Sequence, residues 1–170
     1  MLHSIGTGRK LMDYDAQMNI RNVEFGDMPP QAFLLGLLSA FDNRYQASAD
    51  AFFREITWKQ FFAVICINLF KEPPTINELS DVMGSSHQNV KQILLKLEKK
   101  KFVSFVTDDK DRRKQRIFVT DRCREFLESN DNNGERSQYI IGRIFEGVDE
   151  KELNTTIKTI MRMERNLSGL

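Results

Sequence analysis

Apolar residues along most of this chain recur every three or four positions, which predicts helices; in one stretch they give way to short β-branched and aromatic runs. Leu34, Leu38, Phe41 and Tyr45 mark one face of a predicted helix over 31–47, while Phe33, Leu35 and Leu37 carry apolar surface to other faces. Such a helix needs partners on more than one side, and in a chain of 170 residues the expected second partner is another copy. Trp58, Phe61, Phe62, Ile65 and Leu69, filled in by Ala63, Val64, Cys66 and Ile67, leave almost no polar face. That is the pattern of a core helix, predicted to stop near Phe70 ahead of Pro73-Pro74.

Capping residues divide the remaining sequence into elements. Thr57 with Gln60, and Thr75 with Glu78, are capping boxes that open the core helix and a short helix ending at Met83, with Gly84 supplying a left-handed turn. Ser85 or Ser86 opens a longer helix to about 101, whose Val90, Ile93, Leu94 and Leu97 form a buried stripe. Residues 102–106 and 116–120 read as two strands of a hairpin around 107–115. Thr120 caps a further helix through Phe126 and Leu127, and Asn130-Asp131-Asn132-Asn133-Gly134 predicts a break or kink. The helical pattern resumes at Tyr139, Ile140, Ile144 and Phe145. Asp149 with Glu152 opens a last helix bearing Leu153, Ile157, Ile160 and Met161, with a less buried end beyond Glu164.

The expected fold is mainly α with a small β-hairpin wing: a winged helix-turn-helix with N- and C-terminal dimerisation helices. Its expected divisions are an arm at 1–30, a dimerisation helix region at 31–56, the winged helix-turn-helix at 57–120 and C-terminal dimerisation helices at 121–170.

Charge changes the picture. The chain totals +1, yet residues 85–116 hold ten lysines and arginines against four acids. That segment nets +6 and the remainder −5, a basic patch on an acidic body, which points to a polyanion. On the helix before the hairpin, the face opposite the apolar stripe carries Gln88, Gln92, Leu95 and Lys99, flanked by Lys91 and Lys96. Glutamine amides one turn apart can read adenine edges while lysines meet phosphates. The DNA-facing candidates are Ser86, His87, Gln88, Asn89, Lys91, Gln92 and Lys96 on the helix, and Lys110, Asp111, Arg112, Arg113 and Lys114 in the wing.

LSDVMGSSHQNVKQILLKLEKKKFV, the wing TDDKDRRKQRIFVT and the closing IFEGVDEKELNTTIKTIMRMERNL together resemble the MarR family of dimeric winged-helix transcription regulators over about 31–167. The wing is the most specific part, similar to Asp-x-x-Asp-Arg-Arg-x-x-x-Val-x-Leu-Thr. The resemblance implies that Arg113 enters a minor groove with its guanidinium held by Asp111. It also implies an effector site between the first two helices, for which Phe41, Tyr45, Trp58 and Phe62 are candidates for a small aromatic effector, the alternative being plain core. The chain departs from the family at Lys101 and near Cys123, both commonly glycine, and at the interruption over 130–134.

Cys123 follows the Thr120 cap and lies between Arg122 and Arg124, a setting that would lower a thiol pKa and make it a redox candidate. Cys66 reads as an inert core residue. His3 and His87 are far apart and no catalytic motif, metal pattern or cofactor loop is present, so the expectation is a non-enzyme without cofactor. No apolar run reaches membrane-span length and no signal-like segment opens the chain, so the expected location is cytoplasmic. The function read from these features is a sequence-specific double-stranded-DNA-binding regulator, expected to be a repressor. It would sit as a homodimer on a near-palindromic operator, released by a ligand or oxidant. The alternative is a winged helix used for protein–protein assembly without an operator.

Overall fold

The computed structural model describes residues 28–52, 55–109, 111–131 and 135–169. They group into two compact units divided between residues 62 and 63. The N-terminal arm expected at 1–30 falls almost wholly outside the described residues.

In the first unit, α1 (Pro30–Phe52) runs five residues beyond the predicted end, because Ala47, Ala49 and Ala51 continue a strong helix-forming stretch. Leu35 and Phe41 stay exposed on it. The capping box at Thr57 is reciprocal: the Gln60 N–H donates to the Thr57 hydroxyl and the Thr57 N–H to the Gln60 amide oxygen, each at 3.3 Å. The Asp50 carboxylate accepts the Trp58 N–H and so ties the end of α1 to the start of α2 (Trp58–Asn68), which crosses the division between the units.

In the second unit, Ala63, Val64, Cys66 and Ile67 of α2 are buried. The helix stops two residues early, with Leu69 and Phe70 in tightened i→i−3 turns before the two prolines. The Thr75–Glu78 capping box opens α3 (Ile76–Met83), and Gly84, at φ 57°, closes it. Ser86, rather than Ser85, caps α4 (His87–Lys99), its hydroxyl accepting the Asn89 N–H at 3.3 Å. Val90, Leu94 and Leu97 are fully buried along its inner stripe.

Both helix ends close by one pattern. Past α3, the Ser85 N–H reaches Ser80 O and the Gly84 N–H reaches Asp81 O; past α4, the Phe102 N–H reaches Leu97 O and the Lys101 N–H reaches Glu98 O. These are paired 6→1 and 5→2 bonds around a left-handed residue, a position glycine normally fills. Lys101 fills the second one at φ 61°. The turn therefore keeps the backbone a glycine would give, at a steric penalty of about 1–2 kcal/mol for a side-chain-bearing residue.

The hairpin pairs β1 (Val103–Thr107) with β2 (Gln115–Val119) in the register Val103↔Val119, Phe105↔Ile117, Thr107↔Gln115. Both strands are shifted by one residue from expectation. The cause is Phe102, whose N–H closes α4 and whose ring is buried in the core, so that the ladder begins at Val103. Ile117, also buried, donates its N–H to Pro74 O at 2.9 Å, which fastens the wing to the segment leading into α3.

Thr120 then caps α5 (Asp121–Asp131) through the Cys123 N–H, and Phe126 of α5 packs on Phe102 with ring centroids 4.8 Å apart. The next helix is α6 (Glu135–Ile144); of the break predicted over 130–134, residues 132–134 lie outside the described residues. α7 (Glu150–Leu167) opens with a reciprocal Asp149–Glu152 box at 2.7 and 3.1 Å, as its sequence predicts. None of its residues is buried, at its start or its end. Among the described residues no helix is long and apolar enough to cross a membrane.

Candidate nucleic-acid interface

With Val90, Leu94 and Leu97 buried, the helical period turns Gln88, Lys91, Gln92, Leu95 and Lys96 outward, and all five are exposed. His87 and Asn89 are exposed in the first turn, where Ser86 and Asn89 also form the cap. The amide-and-lysine face expected from the sequence is thus open to a partner. Leu95 adds an apolar spot to it, of the kind that meets a thymine methyl.

Backbone hydrogen bonds join the described residues of the wing loop. The Asp108 N–H donates to Lys114 O at 3.0 Å and the Lys114 N–H to Asp111 O at 2.8 Å. Asp111 Oδ1 accepts both the Arg113 N–H, at 3.1 Å, and the Arg113 Nε–H, at 3.3 Å, while the Arg113 side chain is 93% exposed. Arg112 and Lys114 are exposed beside it, and Lys110 lies outside the described residues. A cleft of about 380 Å³ separates the wing from the starts of α3 and α4. Thr75, Asn77, His87, Thr107, Arg112, Arg113 and Lys114 are among the residues lining it. Hydroxyls, an amide and cations converging on one cleft suit an anion.

Arg116 was not among the candidates. Its Nε–H donates to Asp108 Oδ2 at 2.6 Å, and Nη1 donates to Pro73 O at 3.1 Å and Glu78 Oε2 at 3.2 Å. The Asp108 carboxylate holds the guanidinium pKa above its ordinary value. Glu78 is held below the usual carboxylate range, first by the Thr75 N–H and hydroxyl and then by Arg116. In the sequence its only local mark is a cation directly ahead of the apolar Ile117, Phe118 and Val119.

The sequence model of the MarR family matches residues 56–114, from the start of the core helix to the end of the wing loop. This stretch is a MarR-family domain. No curated protein matches the chain in sequence. Solved structures extend the likeness beyond the domain. A MarR/EmrR family transcriptional regulator from Acinetobacter sp. ADP1 is similar with a TM-score of 0.71 at 14% identity, over 84% of this chain and 100% of that one. The S. aureus MepR–DNA complex gives 0.63 at 20% identity over 79% and 96%. The regulator BldR from Sulfolobus solfataricus gives 0.60 at 20% over 80% and 99%. The chain therefore has the fold of MarR-family transcriptional regulators, mainly helical with a two-stranded wing.

Within the MarR-family domain, lysine at position 101 leaves the turn's left-handed backbone in place. Cys123, beyond the matched stretch, sits in a different setting from the one its sequence neighbours suggest. It is fully buried, and burial pushes its pKa up to about 11, against a weak opposing pull from Arg124. The flanking arginines are occupied elsewhere: Arg122 lies 5.8 Å from the centre of the Phe102 ring, and Arg124 bonds Asp121 and Val119 O. Cys66 is buried and its pKa is raised likewise. The proposed effector residues do come together in the first unit, Tyr45 meeting Trp58 edge-on at 4.6 Å, with Phe41 stacked on Tyr45 and Phe62 on Trp58. Burial raises the Tyr45 pKa.

Proposed function

We propose that this protein regulates transcription as a homodimer that binds a specific double-stranded DNA site. Each protomer lays α4 in a major groove, with Gln88 and Gln92 on base edges and Lys91 and Lys96 on phosphates. The observation that carries the reading is the exposed Arg113 guanidinium, oriented by Asp111 in a basic wing. An arginine held this way suits a narrow, electronegative minor groove and has less freedom to lose on entering it. The S. aureus MepR–DNA complex, a neighbour of the same fold, supports the assignment of the duplex as ligand.

Dimerisation accounts for the apolar side chains exposed on the terminal helices, among them Tyr139, Ile141, Ile157 and Met161 in the second unit. A two-fold axis then makes the operator a near-palindrome with half-sites about one helical turn apart. Occupying such a site represses the promoter it overlaps. A small aromatic compound inserting among Phe41, Tyr45, Trp58 and Phe62 would release the DNA, and as Trp58 is the one tryptophan its fluorescence reports that event directly. The deciding experiment is selection of bound duplexes from a random pool, followed by footprinting. A preferred near-palindrome is expected, and Arg113→Ala should weaken its binding roughly tenfold or more. Finding no preferred duplex at low salt would hand the winged helix to protein–protein assembly instead.

A further inference from the structure

Arg113 is held only as firmly as Asp111, and Asp111 stands on a chain of bonds that ends in the helix-turn-helix. The Asp111 N–H donates to Asp108 Oδ1 at 2.8 Å, and Asp108 Oδ2 accepts Arg116 Nε–H at 2.6 Å. The other arm of the guanidinium holds Pro73 O and Glu78 Oε2, at the entrance to α3. The side chains at the centre of this chain are shielded, Asp108 being 10% and Arg116 27% exposed. Water therefore competes weakly for these bonds, whereas Arg113 itself stands in solvent.

We infer that Arg116 is a positioning residue for DNA recognition, bracing the wing against the entrance of α3 so that Arg113 stands at a set reach and angle from α4. This rests on the reading of the protein as a DNA binder. The geometry favours an arginine: separate nitrogens of one rigid planar fork serve three acceptors from three segments, the residue after β1, the Pro73 segment and the first turn of α3, whereas a lysine's three donors all leave one nitrogen on a flexible stem. Arg116 touches no DNA in this scheme. Its effect passes through Asp108 and Asp111 to Arg113, so it is registered only when Arg113 is present.

The test is a double-mutant cycle on the full chain with the duplex selected from the random pool, using Arg116→Gln, Arg113→Ala and the pair. Arg116→Gln should weaken binding roughly tenfold in the parent and by less than about twofold in the Arg113→Ala background. Hydroxyl-radical protection of the minor groove should be lost, while methylation protection of major-groove guanines under α4 remains. Without DNA, the Asp111 and Lys114 amides should exchange with solvent faster in Arg116→Gln than in the parent. Equal losses in both backgrounds, or none, overturn the inference, since a merely stabilising arginine acts additively. If Arg116→Gln does not fold, Arg116→Lys, which keeps the charge and loses the fork, decides by the same readouts. If the parent selects no duplex, the DNA reading falls by itself and the brace stands or falls on amide exchange: unchanged exchange overturns it.

Discussion

The helices α4 and α7 are written alike and used differently. Each opens on a side-chain cap, Ser86 in one and Asp149 in the other, and each carries apolar residues at three- and four-residue spacing. In α4 the stripe of Val90, Leu94 and Leu97 is buried to nothing, against the hairpin and α3. In α7 the equivalent stripe stays in solvent, Ile157 being 46% exposed. An amphipathic period states that a face seeks cover; it does not state whose. The difference separates a helix that builds the domain from one that, in the proposed homodimer, is completed by a second copy.

The sharpest way to break this comparison is to delete the same kind of side chain from each. Leu94→Ala should cost about 2–5 kcal/mol in urea unfolding, because it leaves a cavity in a closed core. Ile157→Ala in dilute protein should cost under about 1 kcal/mol, the change appearing instead as weaker self-association by analytical ultracentrifugation. Equal losses from the two would place the α7 stripe inside the protomer.

A smaller effect sits where the two helices end. The residue closing α4 is Lys101 at φ 61°, whereas α7 ends on Ser168 at φ −67°. Lys101→Gly should therefore raise stability by about 1 kcal/mol, and Ser168→Gly should raise it not at all. Gly84→Ala, at the matching position after α3, should lower it by a similar amount. A thermal scan of the three variants measures the contrast, and a Lys101→Gly that melts no higher would remove the strain.

The smallest effect is electrostatic. With the Glu78 pKa lowered in the folded protein, the unfolded chain binds more protons over the interval between the lowered and ordinary values. The stabilisation is full above the ordinary carboxylate pKa and fades as pH falls through the folded one. Glu78→Gln should flatten the acid limb of the stability–pH curve. An unaltered acid limb in Glu78→Gln would show that the Thr75 and Arg116 contacts do not favour the carboxylate.

Much of this was legible in advance because the signals are local. Thr57, Thr75 and Asp149 announce three of the helices, and the Val90–Leu97 spacing selects the outward face of α4. The pairing of Arg113 with Asp111 spans two residues and falls within reach of motif reading. What escaped needs the chain folded back. Arg116 meets Pro73 and Glu78 from about forty positions away, and no periodicity encodes that meeting. The setting of Cys123 is hidden from the sequence for a related reason: its neighbours in sequence are cations, but its neighbours in space exclude water, and burial outweighs a flanking charge. The one-residue shift of the hairpin likewise turns on a single amide, that of Phe102, being claimed by α4.

The place where the hairpin leaves and rejoins the helical body has a further consequence. The Thr120 hydroxyl donates to Lys101 O at 2.7 Å and the Thr120 N–H to Phe102 O at 3.1 Å, so the stretch between begins and ends at one clasp. A loop anchored at both feet can lengthen, shorten or change composition at a closure penalty that grows only with the logarithm of its length. The tip of the wing, beyond the Thr107–Gln115 pair, is thus the exchangeable part, while Ile117 and Arg116 keep its base fastened to the helical frame.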